Sequence, residues 1–205
     1  VTGVQTCALP IYSCGEDAWV AMPYLKSLID KAHEKGIPVI YTTGVRREDN
    51  WDNGSWGWKN SRGEEDRSKR PHTNIDGNQI VAEIAPGPQD IVIYKQKPSA
   101  FFGTNMTSYL TLLGCDSLIV TGTTTSGCVR ASVLDAFSLN YRITLAEEGC
   151  FDRSQSSHAI NLCDMNAKYA DVVKTSEVLE FFDTLPSGQY ELPKGCAPAP
   201  HPSKR

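Results

Sequence analysis

The chemistry in this chain gathers around Cys128. It stands in TGTTTSGCVR, residues 121–130, a run of small residues between a β-branched apolar stretch and an amphipathic one. A strand over 117–122, a tight turn and a helix over 127–139 put the thiol at a helix N-terminus. There the backbone N–H groups and the positive end of the helix dipole stabilise a thiolate, the form that attacks a carbonyl carbon. The same amides suit the oxyanion that forms when a carbonyl is attacked. An arbitrary cysteine is more often a small buried hydrophobe. The strand-end position and the turn of small residues favour a nucleophile instead. Lys95 closes the apolar strand 90–95 and should reach the same sheet edge, where a cation lowers a thiol pKa. Its competitors are a solvated lysine at an edge and the neighbouring Lys97.

The elements that must position these residues alternate in type. Leu25, Leu28, Ile29 and Ala32 recur at helical spacing, and Gly36 with Pro38 forms a helix stop, so 17–35 reads as an amphipathic helix. Strands are predicted over 37–43, 90–95, 117–122, 141–146 and 171–174, and further helices over 104–113, 127–139, 156–168 and 177–185. β-branched runs alternating with amphipathic helices imply an α/β fold, a three-layer α/β/α Rossmann-like sandwich on a mainly parallel sheet. Sites in such sheets lie at the carboxyl ends of the strands. The stretch 44–74 carries Trp51, Trp56 and Trp58 and is too long for an ordinary connection. It reads as a lid, a subunit-contact loop or a decorated surface loop. From 187 to 205 the chain is rich in Gly and Pro and reads as a disordered tail.

Composition narrows the partners. The chain has 205 residues, 40% hydrophobic and 21% charged, with a net charge of −4. That supports one large domain and gives no polycationic surface for nucleic acid or an anionic membrane. No apolar run reaches the roughly 20 residues of a membrane span, and no secretory signal pattern opens the chain. A cytoplasmic protein acting on small molecules is the expectation. Seven cysteines without a CxxC pair do not form a disulfide framework, and four histidines without HxH or HExxH spacing give no zinc set. No metal and no cofactor is expected.

Three segments then carry a family resemblance: KQKPSAFFGT (95–104), VTGTTTSGCVRASVLDAF (120–137) and FDRSQSSHAINLCDMNAKYADV (151–172). They resemble the isochorismatase-like cysteine hydrolases, most closely the N-carbamoylsarcosine amidohydrolase branch, from about Glu16 to Leu185. The resemblance implies an Asp, Lys, Cys triad in which the aspartate takes the thiol proton, the lysine stabilises charge and the cysteine forms an acyl-enzyme that water cleaves. Lys95 matches the lysine by its spacing from SAF, and Cys128 matches the nucleophile. It further implies a cis peptide joining Thr123 to Thr124, turning amides of Thr124 and Cys128 toward the oxyanion, and a substrate carboxylate held by Arg153. A plain Arg153 salt bridge is the competing role. His158 suggests a Cys/His dyad, but its place at a helix start reads as structural capping.

The implied reaction is hydrolysis of a linear C–N amide or carbamoyl bond in a small carboxylate-bearing molecule, N-carbamoylsarcosine-like first and maleamate-like second, with release of ammonia. Cys128 argues against true isochorismatases, which do not need the thiol. The scarcity of histidine between 34 and 71 argues against metal-binding nicotinamidases. A non-catalytic ligand-binding relative is the alternative from another class. A redox thiol protein is disfavoured, because no resolving cysteine is near in sequence. The resemblance also implies a homo-oligomer, a tetramer, with sites near subunit contacts.

One departure stands out. The family's aspartate ends the first strand, yet no acidic residue precedes Glu16. Residues 1–11, VTGVQTCALPI, instead resemble a translated short-read sequencing adaptor. The expected division is therefore 1–11 adaptor-derived, 12–186 hydrolase domain and 187–205 tail, with the first strand missing or its place taken by residues 4–9. Glu16 and Asp17 open a helix, where acids are expected in any case. Neither is assigned as the base. Unpaired neighbours of a missing central strand are costly, so the polypeptide as given is predicted to fold poorly and release little ammonia. A version given a first strand ending in Asp should do better on both counts, measured by circular dichroism and ammonia release; equal behaviour of the two would contradict this.

Overall fold

A computed structural model of the chain describes residues 2–5, 14–60 and 77–195. Six strands form one sheet: β1 (Thr2–Gln5), β2 (Val39–Gly44), β3 (Ile91–Lys95), β4 (Ser117–Thr123), β5 (Arg142–Phe151) and β6 (Asp171–Val173). Their order is β3-β2-β1-β4-β5-β6, and every neighbouring pair is parallel. Parallel neighbours need crossovers, and the helices that supply them cover both faces. These are α1 (Glu16–Lys35), α2 (Ser55–Asn60), α3 (Met106–Leu112), α4 (Arg130–Ser138), α5 (Gln155–Lys168) and α6 (Thr175–Thr184). The α/β/α sandwich follows.

The strand alternation sorts the core. Val39, Tyr41 and Ile119 face one way and pack with Ala18, Leu25, Leu28 and Ala32 of α1 and with Val178 and Phe182 of α6. Ile40, Leu118, Val120, Ile143 and Leu145 face the other way, under α3, α4 and α5. α1 ends where Gly36 adopts φ 67°, a conformation that a Cβ would disfavour. Its N–H donates to His33 O at 3.1 Å while Ile37 N donates to Ala32 O at 2.8 Å, closing the last carbonyls before Pro38. His33 then reaches Asp90, with Nε2 and Oδ1 2.8 Å apart, tying the end of α1 to the entry of β3.

Two expectations change. The first strand is not missing: Thr2–Gln5 lies between β2 and β4, in register Thr2 to Val39 and Thr2 to Ile119. Parallel pairing is made by backbone groups, so a segment with no aspartate still fills the place. Residues 6–13, including most of the expected 4–9, lie outside the described residues. On the adjacent β2 the hydroxyls of Tyr41 and Thr42 are buried without a partner, and burial, reinforced by Asp90 and Asp30, pushes the Tyr41 phenol above its ordinary range.

β5 also runs past Ala146. Opposite β4 the partners advance from Val120 and Leu145 to Gly122 and Cys150, a bulge that spends residues 146–149 on one strand. The acids that break the apolar pattern there serve α6. Glu148 accepts from Thr175 N at 2.8 Å and from Thr175 Oγ1 at 2.9 Å, and Glu147 pairs with Lys174 at 2.9 Å.

The stretch after β2 has structure of its own, a 3-10 turn at Trp51–Asn53 followed by α2; residues 61–76 lie outside the described residues. Of the expected tail, Gly188 N donates to Lys35 O at 3.1 Å, and 196–205 lie outside the described residues. Leu28 is fully buried between α1 and the sheet. Leu28→Ala should therefore cost roughly 2–5 kcal/mol, read as a lower urea midpoint at unchanged slope; a loss below about 1 kcal/mol would remove α1 from the core.

Candidate active site

The strand order reverses at β1: the chain fills one side through β2 and β3, then crosses to β4. A crevice opens at the carboxyl ends of strands on either side of such a point. Lys95 ends β3 and Cys128 follows β4, so both predicted residues belong to that edge. Lys95 is only 4% exposed. Its ammonium donates to Lys97 O at 3.1 Å and Pro98 O at 2.8 Å, which turns the chain into the Ser99–Ala100 segment. Lys97 is aimed elsewhere, its Nζ 3.5 Å from where a Cβ on Gly54 would lie.

Cys128 does not open an α-helix directly. Residues Thr125–Val129 form a wider π turn, and α4 continues from Arg130. The peptide between Thr123 and Thr124 is cis. Thr124 O accepts from Gly127 N at 2.9 Å and Val129 N at 3.2 Å, so one carbonyl closes the turn on both sides of Cys128. Thr124 Oγ1 lies where a Cβ on residue 127 would go, which is why that position is glycine. Thr123 is buried, its Oγ1 3.1 Å from Cys14 Sγ.

Three side chains that the sequence did not single out, or that it suggested for another role, hold this turn. Ser132 Oγ accepts from Ala100 N and donates to Cys128 O, both at 2.8 Å, linking the segment after Lys95 to the carbonyl of Cys128. Its position one helical turn beyond Cys128 was the available signal. Thr125 Oγ1 meets His158 Nδ1 at 2.8 Å. His158 is thus neither a cap nor shown at the thiol; Ser154 caps α5, accepting from Ser157 N. Asp152, 3% exposed, accepts from Ser126 N at 2.7 Å. Arg130 holds α4 to α5 through Asn161 Oδ1 at 2.6 Å.

Arg153 follows Asp152 and is exposed, and among the described residues no carboxylate pairs with its guanidinium. Asp17 accepts from Gln155 Nε2 at 2.7 Å, tying the start of α1 to α5. Among the described residues no group of three or more His, Cys, Asp or Glu is placed to hold a metal ion. Beside Lys95, Gln96 donates to Asp52 at 2.7 Å and Val45 N donates to Lys95 O at 3.0 Å, so the Trp-bearing loop is fastened to this edge. Trp51 and Trp58 on that loop are exposed.

The chain is similar to known proteins. Residues 2–177 match the isochorismatase domain. The chain is 36% identical over 177 residues to an N-carbamoylsarcosine amidase of Arthrobacter sp., an alignment covering 84% of this chain and 65% of that protein. It is 30% identical over 182 residues to a maleamate amidohydrolase of Pseudomonas putida, covering 87% and 81% respectively. The crystal structure of an N-carbamoylsarcosine amidase from Thermoplasma acidophilum superposes with a TM-score of 0.67 at 23% identity, covering 85% of this chain and 95% of that one, which shows the shared fold.

The thiols differ in setting. Burial pushes Cys150 up to about 12 and also raises Cys115, whereas Cys163 is exposed. At neutral pH iodoacetamide should modify Cys128 ahead of Cys163 and leave Cys150 intact until the chain unfolds, as peptide mass mapping would record. Modification of Cys163 first would remove the activated thiol.

Proposed function

The chain belongs to the isochorismatase domain family, and from that premise we propose that it is a cysteine-dependent amidohydrolase. Its substrate is a small carboxylate-bearing molecule with a linear amide or carbamoyl C–N bond, N-carbamoylsarcosine-like, and ammonia is released. The observation that carries this reading is the Ser132 bridge, which joins the segment after Lys95 to Cys128 at the crevice edge. In the reaction the Cys128 thiolate adds to the substrate carbonyl, and the amides of Thr124 and Cys128 receive the oxyanion. The proton taken from the thiol passes to the leaving nitrogen, and collapse expels ammonia and leaves a thioester, which water then cleaves. Lys95 stabilises the charges that develop, and Arg153 holds the substrate carboxylate in a bidentate pair.

The proton acceptor for the thiol is assigned to an aspartate ending the first strand, a residue absent from positions 1–15. The likeness to a maleamate amidohydrolase supports maleamate-type substrates as the second reading. The same proposal takes the protein as a cytoplasmic homo-oligomer, a tetramer, without nucleic-acid or membrane partners. Among the described residues no helix is long and apolar enough to cross a membrane.

With an aspartate supplied at the end of the first strand, Cys128→Ala should lower ammonia release by roughly a thousandfold or more. Arg153→Ala should reduce kcat/KM for carboxylate-bearing amides by about tenfold to a hundredfold and for neutral amides far less. Turnover that survives Cys128→Ala removes the mechanism; a parent that turns over no such substrate leaves a non-catalytic binding relative as the reading.

A further inference from the structure

Asp152 stands between the two residues to which the proposed function gives the nucleophile and the carboxylate contact, and it touches the backbone beside each. Oδ2 accepts from Ser126 N and Oδ1 from Arg153 N, both at 2.7 Å. A carboxylate 3% exposed is costly to bury unless its oxygens are satisfied, and amide donors at this distance make charge-assisted bonds. Capping of α5 does not explain it, since Ser154 already caps that helix. Nor does the sheet, since β5 ends at Phe151. Ser126 lies in the π turn two residues before Cys128, and Arg153 begins the connection to α5. One rigid group thus spans two segments 26 residues apart in sequence.

Resting on that functional reading, we propose that Asp152 is a positioning residue that sets the separation between the Cys128 thiol and the Arg153 guanidinium. That separation is the span between a substrate's reacting carbonyl and its carboxylate, so Asp152 selects substrate length. Neutralising it as Asp152→Asn puts an NH2 donor against one of the two amides and releases one end of the clamp.

The test needs no turnover. Cys128 is alkylated with iodoacetate and iodoacetamide, and with 3-iodopropionate and 3-iodopropionamide; within each pair the acid-to-amide rate ratio reads the pull of Arg153 on a carboxylate at one distance from the thiol. The unmutated chain should favour one acid length. Arg153→Ala should lower that ratio by roughly twofold to fivefold, and Asp152→Asn should lower it as much and erase the length preference. A ratio that falls in Arg153→Ala but holds in Asp152→Asn overturns the clamp, as does one that neither substitution moves. A clamp that passes beside a chain with Cys128-independent ammonia release would instead fault the functional reading. Amide hydrogen exchange on the unmutated protein keeps the clamp testable if Asp152→Asn fails to fold: the Ser126 amide should be protected, and exchange at the rate of an open loop overturns the proposal.

Discussion

Between β2 and β4 lies one strand's width of backbone whose N–H and C=O groups must be hydrogen-bonded, because both strands are deep in the sheet. Thr2–Gln5 meets that requirement on both sides at once. The doubly wound order, the crevice at its reversal and the placement of Lys95 and Cys128 across it all depend on that pairing. It is a demand on the backbone. That is why four residues with no acid among them can occupy the centre of the sheet.

Around this frame the molecule divides its labour. Apolar contacts hold the elements: Leu25 and Leu28 against one face of the sheet, Val133 and Leu162 over the other. Polar contacts hold the turn between β4 and α4, where side chains are too small to pack a core. Ser132, His158 and Asp152 each come from a different place in the chain and each fasten a different residue of that turn. One of the ties, His158, reaches from α5, so the turn around Cys128 is supported from the helix that follows Arg153. Catalytic geometry of this kind rests on neighbours whose own conformations are locked.

The bulge in β5 shows how an apparent break in pattern serves the fold. Glu147 and Glu148 interrupt an apolar run and, read as periodicity, end a strand. Their carboxylates instead fasten the start of α6, and the strand resumes at Cys150 beside Gly122. Only that extension brings Phe151 level with Thr123 and lets Asp152 reach the π turn.

By itself the sequence determined the alternation of strands and helices, and it placed Cys128 and Lys95 at the carboxyl ends of their strands. Those follow from local rules, since apolar spacing reports which face is buried and a small-residue turn reports a strand passing into a helix. Only the tertiary structure decided that Thr2–Gln5 fills the central place, that His158 supports Thr125 rather than capping a helix, and that Ser132 and Asp152 fasten the turn around Cys128. The physical reason is that a hydrogen bond between residues 26 or 32 positions apart leaves no period in the chain. Its partners are chosen by where the sheet and helices deliver them.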